Sequence, residues 1–156
     1  DSQYIAKKIV EFYEKYFDCI VRSSLKVDGN IIEYMAKKVL IVDDELQVAF
    51  IFQTALKTAG YEAKIASSGK DGLNLAKSEQ FDLILLDQML GDVSGNEVLK
   101  ILKQDQATKN TPVAILTNFG HENLVQDALS SGAVDYILKY QISTDDLIAK
   151  VKGILG

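Results

Sequence analysis

The sequence predicts an α/β protein built on a doubly wound, five-stranded parallel sheet, preceded by a separate N-terminal amphipathic helix. Three observations carry that expectation. From Lys37 onward, short apolar runs bounded by Gly or Asp alternate five times with helix-length amphipathic stretches. Such alternation implies right-handed crossovers and a parallel sheet with helices on both faces. Two of the runs, Val39–Val42 and Leu83–Leu86, are apolar at every position, as strands buried on both faces are. Of the seven Tyr and six Phe, six fall in the first 34 positions, which sets that segment apart.

Residues 1–34 come first. On an ideal helix, Ile5, Ala6, Ile9, Val10, Phe12, Tyr13, Tyr16, Phe17, Cys19, Ile20 and Val21 fill an arc of about 200°. An apolar arc that wide is a contact surface. The segment is expected to dock on the rest of the chain, to pair with its copy in a homodimer, or to belong to a missing domain. Cys19 reads as a small buried apolar residue within that helix. Leu25–Val27 and Ile31–Ile32 flank Asp28–Gly29, a turn or hairpin signal. A helix and a hairpin together fall short of the roughly 40 residues at which a core stands alone. Met35-Ala-Lys-Lys reads like the natural start of an independent unit, so the chain divides into 1–34 and 35–156. The first part is then an engineered leader, a partner-binding helix or the remnant of an upstream domain.

Residues 38–42, 61–66, 82–86, 113–116 and 134–138 read as strands because they are short and rich in Val, Ile and Leu. Helices are expected around 46–58, 70–78, 95–107, 122–130 and 143–154. Gly60 and Gly132 are placed to end two of them, and Ser143 or Thr144 to cap the last. Pro112, the only proline, sits where a strand begins and its missing N–H is tolerated.

Composition excludes several functions. No apolar run approaches the roughly 20 residues of a membrane span, and no positively charged start leads into an apolar stretch as in a secretory signal. A cytoplasmic protein is expected. One Cys and one His permit neither an internal disulfide nor a zinc cluster, and His121 is given no function. Seventeen basic against 22 acidic residues give a net charge of −5, with no basic run beyond two. Direct nucleic-acid binding is not expected of such a chain.

Ligands of parallel α/β sheets bind at the carboxyl ends of the strands. The residues there are Asp43, Asp44 and Glu45 after the first run, Asp87 after the third, Thr117 and Asn118 after the fourth, and Lys139 after the fifth. Clustered carboxylates repel unless a proton or a cation intervenes, and hard oxygen ligands with open water positions suit Mg²⁺. A carboxylate nucleophile flanked by a metal, a lysine and a hydroxyl is equipped to accept a phosphoryl group, since that transfer is largely positioning and charge neutralisation. Singly, each motif has an ordinary reading: Asp43 and Asp44 as a helix cap, Lys139 as a solvated lysine, Thr117 as a strand-end hydroxyl. Their joint placement outweighs these.

The segment Val39-Leu-Ile-Val-Asp-Asp-Glu45, with Asp87, Thr117 and Lys139 in order at the ends of later strands, resembles the receiver domain of two-component response regulators over residues 36–156. The resemblance implies strand order 2-1-3-4-5, the flavodoxin-like arrangement that the chemotaxis receivers exemplify. It implies Asp87 as phosphoacceptor, loaded by a phosphohistidine of a sensor histidine kinase or phosphotransfer protein. Mg²⁺ would be held by Asp44, Asp87 and the backbone carbonyl of Met89, with Asp43 acting through water. Lys139 and Thr117 would bind phosphoryl oxygens, and Tyr136 would follow Thr117 in switching the face formed by the last two helices and the strand between them, where a downstream protein target binds. The chain would be a signalling phosphoacceptor, catalysing only its own phosphorylation and dephosphorylation, either as a single-domain regulator or as an excised module. An aspartyl-nucleophile phosphohydrolase is the alternative, weakened because the second acid it needs two residues after the nucleophile is Met89. Two departures stand out. Tyr140 follows Lys139 where the family often has a proline in cis, and a non-proline cis bond costs roughly 3–4 kcal/mol, so Lys139–Tyr140 is expected to be trans or strained. Gly91 replaces a common proline and loosens the loop after Asp87. Met89 and Phe119 are expected to overhang the site and screen the phosphoryl group from water.

Overall fold

A computed structural model describes residues 3–5, 7–8, 23–27, 30–34, 36–118 and 120–156, those of 23–34 by their backbone. Residues 3–5 and 7–8 are helical. The rest of the expected N-terminal helix with Cys19, the Asp28–Gly29 turn, Met35 and Phe119 lie outside the described residues, as does any surface through which residues 1–34 would dimerise.

Strands β1 (Ser23–Val27) and β2 (Asn30–Tyr34) pair antiparallel with Val27 opposite Asn30. This is the register of a two-residue hairpin connection. The alternating part follows as β3 (Lys38–Val42), α1 (Leu46–Thr58), β4 (Glu62–Ala66), α2 (Gly69–Ser78), β5 (Leu83–Asp87), α3 (Gly95–Gln104), β6 (Val113–Thr117), α4 (Glu122–Ser130), β7 (Asp135–Leu138) and α5 (Thr144–Leu155). The five later strands are all parallel and lie in the order β4-β3-β5-β6-β7, which is the expected 2-1-3-4-5. β3, β5 and β6 are interior. From Val39 on, every residue of these three strands is buried, which is why those runs show no polar alternation.

Each face of the sheet carries its own core. Val39, Ile41, Leu83, Leu85 and Leu116 pack against Phe52 and Leu56 of α1 and Leu147 and Val151 of α5. The alternate residues Leu40, Val42, Ile84, Leu86 and Ile115 pack against Ala76 of α2, Val98, Leu99 and Leu102 of α3 and Ala128 of α4. Period-two alternation along the strands thus feeds two cores rather than one core and solvent. Gly60 (φ 96°) and Gly132 (φ 101°) terminate α1 and α4 in the left-handed region, where glycine carries no Cβ penalty. Ser143 caps α5 by accepting the Asp146 N–H at 3.0 Å. The other boundaries fall within one residue of expectation, but α3 stops at Gln104 rather than near 107. Asp105 turns its carboxylate to the Ala107 N–H, and Thr108 Oγ1 donates to the Leu102 carbonyl, so the polar side chains close the turn in place of further helical bonds. Among the described residues, no helix is long and apolar enough to cross a membrane.

Candidate phosphoacceptor site

The carboxyl ends of β3, β5, β6 and β7 bring together the residues expected there. A ligand oxygen from each of Asp43, Asp44 and Asp87 can be chosen such that all lie within 4.8 Å of one another. Asp43 and Asp87 are buried and Asp44 is exposed. Asp43 serves two elements: Oδ1 accepts the Glu45 N–H at 2.9 Å, and Oδ2 pairs with Lys139 Nζ at 2.9 Å. Asp43 does not cap the helix: its bond to the Glu45 N–H closes the turn before α1, whose N-cap is Glu45 with no side-chain cap bond. Asp87 Oδ2 lies 3.4 Å from the same ammonium, and Asp87 Oδ1 faces the Met89 N–H at 3.5 Å.

The electrostatics follow from this crowding. Burial, then the Asp43 charge, pushes Asp87 up to about 7, with Lys139 only partly offsetting them. Burial alone would lower Lys139, but its hydrogen bonds to Asp43 and Glu45 and the nearby negative charges hold it well above the usual lysine range. The ammonium is thus a fixed positive charge. The carboxylates present hard oxygen donors, and Asp44 opens the cluster to solvent, a donor set that fits Mg²⁺.

Thr117 is fully buried at the end of β6, and its side chain shares a hydrogen bond with the Tyr136 phenol. That phenol donates to Gln88 Oε1 at 2.8 Å. Met89 is 61% exposed. Among the described residues no peptide bond is cis, so Lys139–Tyr140 is trans as expected. Tyr140 does more than replace a proline: its hydroxyl donates to Glu45 Oε2 at 2.6 Å. Glu45 Oε1 accepts from Lys139 Nζ at 2.9 Å and from Asn118 Nδ2 at 3.2 Å.

Glu45 and Gln88 are the site residues that the sequence reading left without a role. Glu45 carried a signal, its place directly after the Asp pair. Gln88 carried a weaker one, an amide following a wholly apolar strand.

The chain is similar to known proteins over most of its length. A family model for the response regulator receiver domain matches residues 39–152. The phosphate regulon transcriptional regulatory protein PhoB of Pseudomonas aeruginosa is 38% identical over 121 residues, covering 78% of this chain and 52% of that protein. This chain thus spans about half of PhoB's length. The polar-differentiation response regulator DivK of Brucella abortus is 36% identical over 122 residues, covering 78% of this chain and 98% of DivK. Among solved structures, the chemotaxis response regulator CheY4 of Vibrio cholerae superposes with a TM-score of 0.73 at 28% identity, covering 77% of this chain and 99% of CheY4.

Proposed function

From the premise that this chain belongs to the response regulator receiver domain family, we propose that it accepts a phosphoryl group on Asp87 from a phosphohistidine of a sensor kinase or phosphotransfer protein. The observation that carries the reading is the convergence of Asp43, Asp44, Asp87 and Lys139 on one sheet edge. A carboxylate oxygen of Asp87 forms the bond to phosphorus while the P–N bond breaks and its electron pair returns to the imidazole. Asp43, Asp44, Asp87 and the Met89 carbonyl are the residues that would hold Mg²⁺, which supplies charge neutralisation to the phosphoryl oxygens. Lys139 supplies a second positive charge at short range, and Thr117 a hydroxyl donor.

The signal leaves through Tyr136. With Thr117 hydrogen-bonded to the phenol, drawing Thr117 toward a phosphoryl oxygen breaks that contact and frees the ring to repack. The face formed by α4, β7 and α5 changes accordingly and is the surface read by a downstream protein. Residues 35–156 make up this receiver, and residues 1–34 are a separate attachment.

Incubation with acetyl phosphate and Mg²⁺ tests the reading. Wild type becomes labelled and Asp87→Ala does not. Absence of label in wild type, or label that survives the substitution, overturns it.

A further inference from the structure

We propose that Glu45 is an anionic placeholder for the phosphoryl group, and that loading Asp87 expels it from Lys139 and so releases Tyr140 and Asn118. The inference rests on the phosphoacceptor reading above and adds a second output to it, at the loops that follow β6 and β7.

The argument starts from the ammonium. Lys139 has three N–H donors and no acceptor, and its side chain is fully buried. Three carboxylates engage it: Asp43 at 2.9 Å, Glu45 at 2.9 Å and Asp87 at 3.4 Å. Asp43 and Glu45 each accept a hydrogen bond from it, and Asp87 lies at ion-pair distance. Phosphorylation turns the Asp87 carboxylate into an acyl phosphate and places a group of about −1.5 to −2 charge at the same point. The third donor, left beside Asp87, can pass to one phosphoryl oxygen. A second phosphoryl oxygen, and the added negative charge, compete with the remaining carboxylates.

Burial decides which carboxylate yields. The Asp43 side chain is fully buried and also holds the Glu45 N–H, so separating it from Lys139 strands a charge away from water. The Glu45 side chain is 40% exposed. It rehydrates as it leaves, and exposed ion pairs are weak. Glu45 therefore moves and Asp43 stays.

Its departure has consequences because Glu45 is a hub. Oε2 holds the Tyr140 hydroxyl at 2.6 Å and Oε1 holds Asn118 Nδ2 at 3.2 Å. These are the residues directly after Lys139 and Thr117, at the entrances to the segments that lead into α5 and α4. In the resting state one carboxylate ties both loops to the start of α1. Tyr140 contributes the part of this clasp that a proline at the same position could not, since proline has no hydroxyl to donate.

The test reads Tyr140 directly in the full chain, with beryllofluoride and Mg²⁺ as the phosphoryl mimic. Tyrosine is labelled with carbon-13 at Cζ, Tyr140 is assigned by Tyr140→Phe, and fluorine NMR reports beryllofluoride bound at Asp87. The expected result is loss of the hydrogen-bonded Cζ shift on binding. A kinetic arm uses Glu45→Gln, which keeps the shape and removes the charge. Labelling by acetyl phosphate should speed up about two- to fivefold, the size expected for releasing a partly exposed ion pair. Bound beryllofluoride with an unchanged Tyr140 signal, or Glu45→Gln labelling no faster than wild type, overturns the placeholder and leaves the phosphoacceptor reading standing. Failure of wild type to bind beryllofluoride or accept label overturns both.

Discussion

Asp87 holds its proton more tightly in the folded protein than any free aspartate, and that makes the site a stability liability until a cation arrives. In the metal-free protein its carboxyl is raised from 3.8 to about 7. Between those two values the folded state keeps a proton that the unfolded chain has lost, so this group's contribution to stability falls as pH rises from about 4 to about 7, and stays low above that. Asp87→Asn removes the liability. In chelator-treated protein, urea unfolding should show a gain on the order of 1–3 kcal/mol at pH 8 that fades toward pH 4; an equal gain at both ends contradicts the cause assigned to the shift. Gln88 poses a different residue-scale question. Its Oε1 accepts from Tyr136, yet its buried Nε2 has no partner among the described residues. Gln88→Leu loses one hydrogen bond and also removes an unsatisfied donor, so its net effect on stability should stay within about 1 kcal/mol. Tyr136→Phe strands Gln88 altogether and should cost about 1–3 kcal/mol. The same urea titration ranks the two. Asp43, Asp87 and Lys139 could be read in the sequence because position at a strand end is set by chain order alone. The partners of Glu45 and Gln88 could not, because they depend on which rotamers reach across from another strand.

Among the elements, the turn between β5 and α3 shows how closely backbone and chemistry are coupled. Gly95 opens α3 and donates its N–H to the Gln88 carbonyl at 2.8 Å. A Cβ built there would strike the Asp87 carbonyl oxygen and lie 2.7 Å from Gln88 Cα. Since both obstacles are backbone, Gly95→Ala must displace the segment that aims Asp87. It should destabilise by about 1–3 kcal/mol and slow labelling by acetyl phosphate. Gly91, four residues earlier, is the opposite case: a Cβ there meets only Asp44 Oδ2 at 3.9 Å, and its φ lies outside the left-handed range. Gly91→Ala should raise stability by about 0.4–1 kcal/mol through the unfolded chain and leave labelling intact, both measurable beside Gly95→Ala. The helix that follows was legible in outline and misjudged in length. Its start is marked by Ser94 and Glu97, which form a capping box. Its end depends on where the Asp105 and Thr108 side chains turn, and helical periodicity carries no record of that.

For the whole molecule, the parallel sheet with helices on both faces was legible because alternation, handedness and burial agree, whereas its strand order followed from the family resemblance alone. The relation of residues 1–34 to the rest was not, since an amphipathic helix specifies that it needs cover without specifying by what. Every buried apolar residue among those whose burial is described lies between Val39 and Val151. Residues 36–156 carry two complete cores and the entire candidate site, and a domain of about 120 residues is of ordinary size for independent folding. Removing residues 1–35 should therefore leave a protein that unfolds cooperatively, with a Tm within a few degrees of the full chain, equivalent to less than about 1 kcal/mol. Its Mg²⁺-dependent labelling should be unchanged. Light scattering on the same two proteins assigns the apolar arc. A full chain of twice the monomer mass that becomes monomeric on truncation means that a second copy covers it. Loss of the folded state on truncation instead means that the segment completes the receiver in its own chain, and that the boundary near residue 35 is misplaced.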